Sequence, residues 1–316
     1  MSKKLYNLAF VFPGQGSQSV GMMNNLAAVY PEVRQTFTEA SDVLGFDLWQ
    51  IVTEDADKQL DQTRYTQPAM LTAGVAIWRI WCQQSAIRPG WVAGHSLGEY
   101  TALICAEALA FADGLRLVAE RGRLMQEAVP EGQGAMAAIL GLEDHIVVNL
   151  CHSLSSDANV VSAVNFNSPG QVVIAGHVDA VTNAMAEAKR LGAKRALPIP
   201  VSVPSHCQLM QSAAEKLGEY LKSVTITTPK ATLIHNVDVV SHDAPDVIKN
   251  ALIEQLYKPV RWSDSIKFMH EQGVTCFVEF GPGKVLQGLN KRIVKEAEHL
   301  AIYDQQTLEH AGAFCT

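Results

Sequence analysis

The sequence is poor in the features that mark membrane proteins and metalloproteins. No apolar run reaches the roughly 18 residues that a transmembrane helix requires. Its six cysteines form no C-x-x-C pair, and its ten histidines include no H-E-x-x-H motif. We therefore expect no transmembrane helix, no disulfide framework and no metal site, and we interpret the cysteines as reduced thiols.

Positive charge is also scarce. The 316 residues include 25 Lys and Arg against 32 Asp and Glu, which gives a net charge of −7. Because nucleic-acid binding needs a concentrated basic face, nucleic acid is not expected as the main partner. The chain is 48% hydrophobic and 18% charged, a composition that can bury a full core.

The first apolar segment is short and ends abruptly. Residues 5–12 follow two lysines, as in a signal peptide, but a Pro-Gly pair ends the segment without a small-residue cleavage site. We interpret it as a buried strand and expect a soluble, cytoplasmic protein. Apolar residues then recur with helical spacing over 24–44 and 67–84, and a second apolar strand covers 90–94. This alternation predicts a parallel sheet with helices on both faces.

Residues 131–201 follow a different order of elements. Their short apolar segments predict the succession β-α-β-β-α-β, which is the ferredoxin-like order. We therefore predict an α/β fold in which a large parallel-sheet domain, residues 1–130 and 202–316, carries an inserted ferredoxin-like subdomain at 131–201. The last dozen residues look like a tail.

The motif Gly94-His95-Ser96-Leu97-Gly98 lies between an apolar strand and an Ala- and Leu-rich helix. Glycine on both sides of a serine allows an abrupt turn from strand to helix and lifts the serine onto an exposed tip. This G-x-S-x-G pattern predicts the nucleophile turn of an α/β-hydrolase-like domain. The alternative is a glycine-flanked turn with an ordinary capping serine.

A serine hydroxyl is a weak nucleophile and needs a base beside it. His206 is the candidate, because it lies where the chain re-enters the large domain; a histidine without a catalytic role is the alternative. His95 projects from another side of the turn and is expected to shape the pocket. Cys207 is interpreted as structural, since adjacent residues on an extended segment point to opposite faces.

Two further segments are candidates for lining a pocket around the serine. The loop at 12–18 lacks the endings of a phosphate-binding or dinucleotide loop, and one of its N–H groups suits an oxyanion hole shared with the amide of Leu97. Residues 120–123 end a helix and include two arginines. One of these would select an acyl chain that ends in a carboxylate, unless both are solvated helix-end charges.

Together these motifs resemble the discrete bacterial malonyl-CoA:acyl carrier protein transacylases of type II fatty acid synthesis. The resemblance covers nearly the whole chain. Beside the G-x-S-x-G turn, it is carried by F-P-G-Q-G-S-Q at 12–18, R-G at 121–122, V-N-F-N-S-P-G-Q at 164–171, V-P-S-H at 203–206, N-V-D at 236–238, Q-L-Y-K-P-V at 255–260 and V-E-F-G-P-G at 278–283.

The resemblance implies a role for each main site residue. Ser96 would be the acylated nucleophile, His206 its base, and Arg121 the residue that holds the malonyl carboxylate. The amides of Gln15 and Leu97 would form the oxyanion hole. Malonyl would pass from coenzyme A to the serine and then to the phosphopantetheine thiol of acyl carrier protein, without a metal or a bound prosthetic group.

Two more residues are implied to adjoin the substrate. The backbone carbonyl of Gln255 would orient His206, in place of the carboxylate that an ordinary α/β-hydrolase supplies. Ser205 occupies a position just before the histidine at which the residue type in related polyketide acyltransferases correlates with selectivity for malonyl or methylmalonyl substrates. Its small side chain leaves that choice open, since one methyl group contributes only about 1–3 kcal/mol of discrimination.

The implied partners are malonyl-CoA and an acidic acyl carrier protein, and a monomer is expected. An acidic carrier would dock on a local basic cluster, and the candidates are Lys189, Arg190, Lys194 and Arg195 on the insert or Lys284, Lys291 and Arg292. The alternative for either set is a solvated helix face. Two alternatives are a serine esterase or thioesterase, which would need a triad carboxylate, and a non-catalytic carrier-binding subunit. The intact Ser96, His206 and Arg121 argue against the second.

Overall fold

Two sheets, one parallel and one antiparallel, organise the molecule. The computed structural model describes residues 3–201 and 203–315, and no helix in those ranges is long and apolar enough to cross a membrane. Its elements in chain order are β1 (Lys3–Phe12), α1 (Asn24–Ala27), α2 (Pro31–Leu44), α3 (Leu48–Thr53), α4 (Thr63–Gln84), β2 (Ile87–Gly94), α5 (Gly98–Cys105), α6 (Phe111–Ala128), β3 (Gly134–Leu140), α7 (Asp144–Leu154), β4 (Val161–Ser168), β5 (Gln171–His177), α8 (Val178–Arg190), β6 (Arg195–Ile199), a 3₁₀ turn (Gln208–Met210), α9 (Gln211–Leu221), β7 (Thr232–Ile234), α10 (Pro245–Glu254), α11 (Trp262–Glu271), β8 (Cys276–Phe280), α12 (Val285–Ile293), β9 (Glu298–Ile302) and α13 (Gln305–Phe314).

The parallel sheet has the strand order β7-β2-β1-β8-β9, with β1 in the middle. All neighbouring pairs run parallel, and Phe12 at the end of β1 lies opposite Gly94 at the end of β2. Because the carboxyl ends of parallel strands share one edge, the loops after β1, β2 and β8 meet there. This edge carries the G-x-S-x-G turn.

Side chains are buried on both faces of the parallel sheet, which explains the continuous apolar runs in its strands. On one face, Phe10 packs against Trp81 of α4 and Phe280 of β8, with ring centroids 5.3 and 4.3 Å away. On the other, Ala9 and Val11 join a cluster that includes Trp262 of α11. The parallel sheet is therefore covered by helices on both faces.

The antiparallel sheet lies between Gly134 and Ile199 and has the strand order β4-β5-β3-β6. With α7 and α8 over one face, this is the ferredoxin-like arrangement. The predicted fold class, a parallel sheet with a separate β-α-β-β-α-β unit, is thus confirmed. The other face of this sheet packs against Cys207, next to the proposed base.

A short backbone pairing joins the two parts of the molecule. The N–H of Val260 donates to the carbonyl of Val164 at 2.8 Å, and the N–H of Phe166 donates to the carbonyl of Val260 at 3.0 Å. One residue of the large domain therefore pairs in parallel with β4, the edge strand of the antiparallel sheet.

The expectation of a C-terminal tail was wrong. Residues Gln305–Phe314 form helix α13, which opens with a capping box between Asp304 and Thr307. Leu308 and Ala311 are buried in the main core, beside the edge strand β9. The capped N-terminus and the buried face stabilise a helix whose sequence carries only a weak apolar pattern.

Candidate active site

Ser96 lies at the tip of a tight turn between β2 and α5. Its φ of 52° falls in the left-handed region, which is strained for a residue other than glycine. A Cβ on Gly94 would overlap the backbone of Gly98, and a Cβ on Gly98 would overlap the carbonyl of Phe12. The two flanking glycines therefore permit the turn that presents the Ser96 hydroxyl.

His206 reaches Ser96 from a segment 110 positions along the chain. Its Nε2 lies 2.8 Å from Ser96 Oγ, and its Nδ1 lies 2.6 Å from the backbone carbonyl of Gln255. A carbonyl can only accept, so Nδ1 carries the proton and Nε2 is left as the acceptor that faces the serine. The His206 backbone is also in the left-handed region, with a φ of 65°, and its N–H donates to the carbonyl of Leu256.

The His206 imidazole is held neutral. Burial lowers its pKa to about 3, and the positive charge of Arg121 acts in the same direction. The hydrogen bond to the carbonyl of Gln255 opposes this shift. Near neutral pH the ring therefore has a free lone pair for the proton of Ser96.

Arg121 projects from α6 into the same cavity and is 1% exposed. Its Nη2 donates to Ser96 Oγ at 3.2 Å and to Gln255 Oε1 at 3.0 Å. Its Nε is buried without a hydrogen-bond partner among the described residues. Arg123, two residues on, is exposed and paired with Glu120 and Glu127. Of the two arginines in this segment, only Arg121 enters the cavity.

The amides predicted to form an oxyanion hole belong to Gln15 and Leu97, and both residues line the cavity. Neither N–H donates to any acceptor within residues 3–201 and 203–315. The loop of Gln15 fits closely against its neighbours: a Cβ on Gly14 would crowd the carbonyl of His95, and one on Gly281 would overlap the Pro13 ring. Both N–H groups thus lack an acceptor among the described residues, and both residues belong to the lining of the cavity that holds Ser96.

His95 and Ser205 also line the cavity. His95 Nε2 lies 2.7 Å from Asn167 Oδ1 on β4, and its ring packs against Trp262 at 5.6 Å between centroids. These two contacts fix the ring in the wall of the cavity. Cys207 donates from Sγ to the carbonyl of Pro204, and burial raises the pKa of its thiol to about 11, in keeping with a structural residue.

The turn at Ser96 is supported by buried residues that the motifs alone assign to no role in the reaction. Asn236 accepts from the Ser96 N–H at 2.7 Å and donates to the Gly94 carbonyl at 2.7 Å. Glu99, fully buried, accepts from His235 Nδ1 at 2.7 Å and from the Asn236 N–H at 3.1 Å. In the sequence, this network is marked by Glu99, which is the one charged residue of α5, and by the N-V-D motif that includes Asn236.

Within residues 3–201 and 203–315, the charged and sulfur-bearing side chains do not gather into a metal site. No group of three or more His, Cys, Asp or Glu residues able to hold an ion occurs within the described residues. The cavity is lined by apolar, hydroxyl, amide, imidazole and guanidinium groups from the loops after β1 and β2, from helices α4 and α6, and from the antiparallel sheet, which contributes Met136 on β3 and Ile199 on β6.

Comparison with known proteins defines the family. A model of the acyl transferase domain matches residues 9–308. A malonyl CoA-acyl carrier protein transacylase of Salmonella typhimurium is 54% identical over 303 residues, covering 96% of this chain and 98% of that protein. The chain belongs to this acyltransferase family. A transacylase of the same name from Bacillus subtilis is 44% identical over 306 residues, covering 96% of each chain.

Solved structures give the same relation. An acyl carrier protein S-malonyltransferase from Vibrio cholerae superposes with a TM-score of 0.93 at 54% identity, covering 96% of this chain and 99% of that one. A malonyl-transacylase in complex with a type II PKS acyl-carrier protein superposes with a TM-score of 0.95 at 50% identity, covering 98% and 99%. The family resemblance drawn from the motifs is confirmed, and so is the prediction of an acyltransferase.

Proposed function

We propose that this chain transfers a malonyl group from malonyl-CoA to the phosphopantetheine thiol of acyl carrier protein, through an ester on Ser96. The observation that carries the proposal is the position of Ser96 Oγ. It lies 2.8 Å from the neutral imidazole of His206 and 3.2 Å from the buried guanidinium of Arg121. A nucleophile, its base and a binder of carboxylate thus share one cavity.

In the first half-reaction, the malonyl carboxylate binds to Arg121 through charge-assisted hydrogen bonds. Ser96 Oγ attacks the thioester carbon while its proton passes to His206 Nε2. Because the positive charge of Arg121 helps to lower the pKa of His206, a bound carboxylate offsets that effect and makes the imidazole a stronger base. The substrate therefore favours its own proton transfer.

The tetrahedral intermediate places an oxyanion against the N–H groups of Gln15 and Leu97. When it collapses, the carbon–sulfur bond breaks and the coenzyme A sulfur takes the proton from His206. In the second half-reaction, the carrier thiol gives its proton to His206 and attacks the ester. Ser96 Oγ leaves with that proton, and the free enzyme returns.

Transfer rather than hydrolysis is supported by what orients His206. Its Nδ1 donates to a backbone carbonyl, that of Gln255, at 2.6 Å. A serine hydrolase of the usual kind would place a carboxylate there. The nearest such group in the network, Glu99, bonds to His235, Asn236 and Gln255 instead.

We further propose a domain division, a reaction without a cofactor and a cellular location for this chain. We assign residues 1–130 and 202–316 to the catalytic domain and 131–201 to the inserted subdomain. The substrates suffice for the reaction without a further cofactor. We also propose that the chain works as a monomer in the cytoplasm.

The test is incubation with malonyl-CoA, followed by intact mass, peptide mapping and addition of holo acyl carrier protein. We expect one malonyl adduct on Ser96 that the carrier discharges, and none on a Ser96→Ala variant. Loss of the adduct to water at the same rate with and without carrier would instead identify a hydrolase.

A further inference from the structure

Arg121 needs a compensating charge before any substrate arrives. It is 1% exposed, and burying an isolated cation costs several kcal/mol. The Tyr100 ring lies 5.4 Å from the guanidinium, but burial raises the pKa of Tyr100 to about 12, so this phenol is neutral near pH 7. The carboxylate hydrogen-bonded into this part of the described structure is Glu99, which is fully buried.

Glu99 and Arg121 do not touch; the side-chain amide of Gln255 stands between them. Arg121 Nη2 donates to Gln255 Oε1 at 3.0 Å, and Gln255 Nε2 donates to Glu99 Oε2 at 2.8 Å. The same Nε2 donates to the Ser96 carbonyl at 3.0 Å. The amide orientation is therefore fixed, with its oxygen toward the cation and its nitrogen toward the anion.

We propose that Glu99 is the counter-ion of Arg121, acting through Gln255, and that this relayed arrangement sets the strength with which the enzyme holds a carboxylated acyl group. A direct ion pair would occupy the guanidinium donors. With the Gln255 amide as spacer, Glu99 supplies the negative charge without contacting the guanidinium, and Arg121 Nε has no hydrogen-bond partner among the described residues. Glu99 is a positioning residue, since it does not reach the reacting atoms.

The Glu99 carboxylate weakens the binding of the malonyl carboxylate to Arg121. A malonyl carboxylate on Arg121 is attracted by the guanidinium and repelled by Glu99 behind it, and a low dielectric strengthens both effects. Transfer requires the acyl group to bind and then to leave, so a cation without its counter-ion would retain malonyl too firmly. This inference rests on the proposed carboxylate-binding role of Arg121.

The experiment measures binding without turnover. In a Ser96→Ala background, which cannot be acylated, the Kd values of malonyl-CoA and acetyl-CoA are compared by calorimetry near pH 8. Tighter binding of malonyl-CoA in this parent supports the carboxylate-binding role of Arg121. Equal binding there would overturn both that role and the counter-ion proposal.

The first variant adds Glu99→Gln, which removes the charge and keeps the volume. We expect malonyl-CoA to bind roughly tenfold more tightly, with acetyl-CoA changed by about twofold or less. The matched control is Glu279→Gln, which removes a second fully buried carboxylate that accepts from the Gln287 N–H at 2.8 Å and does not line the cavity. Parallel changes for both ligands in Glu99→Gln would reduce Glu99 to a structural residue and overturn the proposal.

The second variant exchanges the two groups, as Glu99→Gln with Gln255→Glu. The double variant keeps the number of buried charges unchanged, so it tests the proposal even if the single variant does not fold. It moves the carboxylate into direct contact with Arg121. We expect the preference for malonyl-CoA over acetyl-CoA to disappear, because a direct ion pair competes with the substrate. An unchanged preference would overturn the proposal.

Discussion

Replacing Arg121 with alanine should remove most of the preference for malonyl over acetyl groups. The guanidinium is 1% exposed and donates to Ser96 Oγ and Gln255 Oε1, so alanine leaves no cation beside the acyl group. A hydrogen bond to a charged partner contributes about 1.5–3 kcal/mol, and each 1.4 kcal/mol is about tenfold in rate. We therefore expect kcat/KM for malonyl-CoA to fall by about 10- to 150-fold.

The assay is acylation of Ser96 followed by rapid quench and intact mass, with malonyl-CoA and acetyl-CoA in separate reactions. Acetyl transfer should be retained or slightly faster, because the loss of the Arg121 charge raises the pKa of His206 and strengthens the base. The control is Arg123→Ala on the same helix, which breaks only exposed ion pairs and should leave both rates unchanged. An equal loss for both acyl groups after Arg121→Ala would refute the assignment.

Three further results are expected. Burial lowers the pKa of His206 from 6.5 to about 3, so between these pH values the unfolded chain binds a proton that the folded chain does not. In urea unfolding, the free energy of unfolding should therefore decrease by up to about 1.4 kcal/mol for each pH unit below about pH 6.5, and His206→Gln should lessen this slope. Leu308→Ala, in the buried face of α13, should lower the free energy of unfolding by about 2–4 kcal/mol while the acylation rate per folded molecule is unchanged. Reversing the charges of Lys291 and Arg292 on α12 should raise KM for the carrier but not for malonyl-CoA, and an unchanged carrier KM would remove this surface as the docking site.

Much of the fold follows from local patterns in the chain. Strands buried on both faces carry short continuous apolar runs, by which β1, β2 and β8 stand out, and the antiparallel unit is marked by its short alternating elements. Helix α13 was missed because its stability comes from the Asp304 capping box and from a narrow buried face, both of which depend on tertiary docking.

The site was predicted unevenly. Ser96 is marked by its flanking glycines, but the position of His206 distinguishes it only weakly from the other nine histidines. Its assignment as the base depends on the whole set of motifs. The supporting network could not be derived from spacing, because Glu99 meets His235 across 136 positions and Gln255 across 156. Such long-range polar pairs leave no periodic signal, and only burial of a charged side chain reveals them.

The pairing at Val260 ties the two parts of the molecule to the chemistry. Both the N–H and the carbonyl of Val260 form hydrogen bonds with β4. Five residues earlier in the same segment, Gln255 supplies the carbonyl that orients His206. The segment that carries the orienting carbonyl is therefore anchored to the antiparallel sheet as well as to the large domain. The aim of the His206 imidazole thus depends on contacts with both sheets, although its partner Ser96 follows a strand of only one.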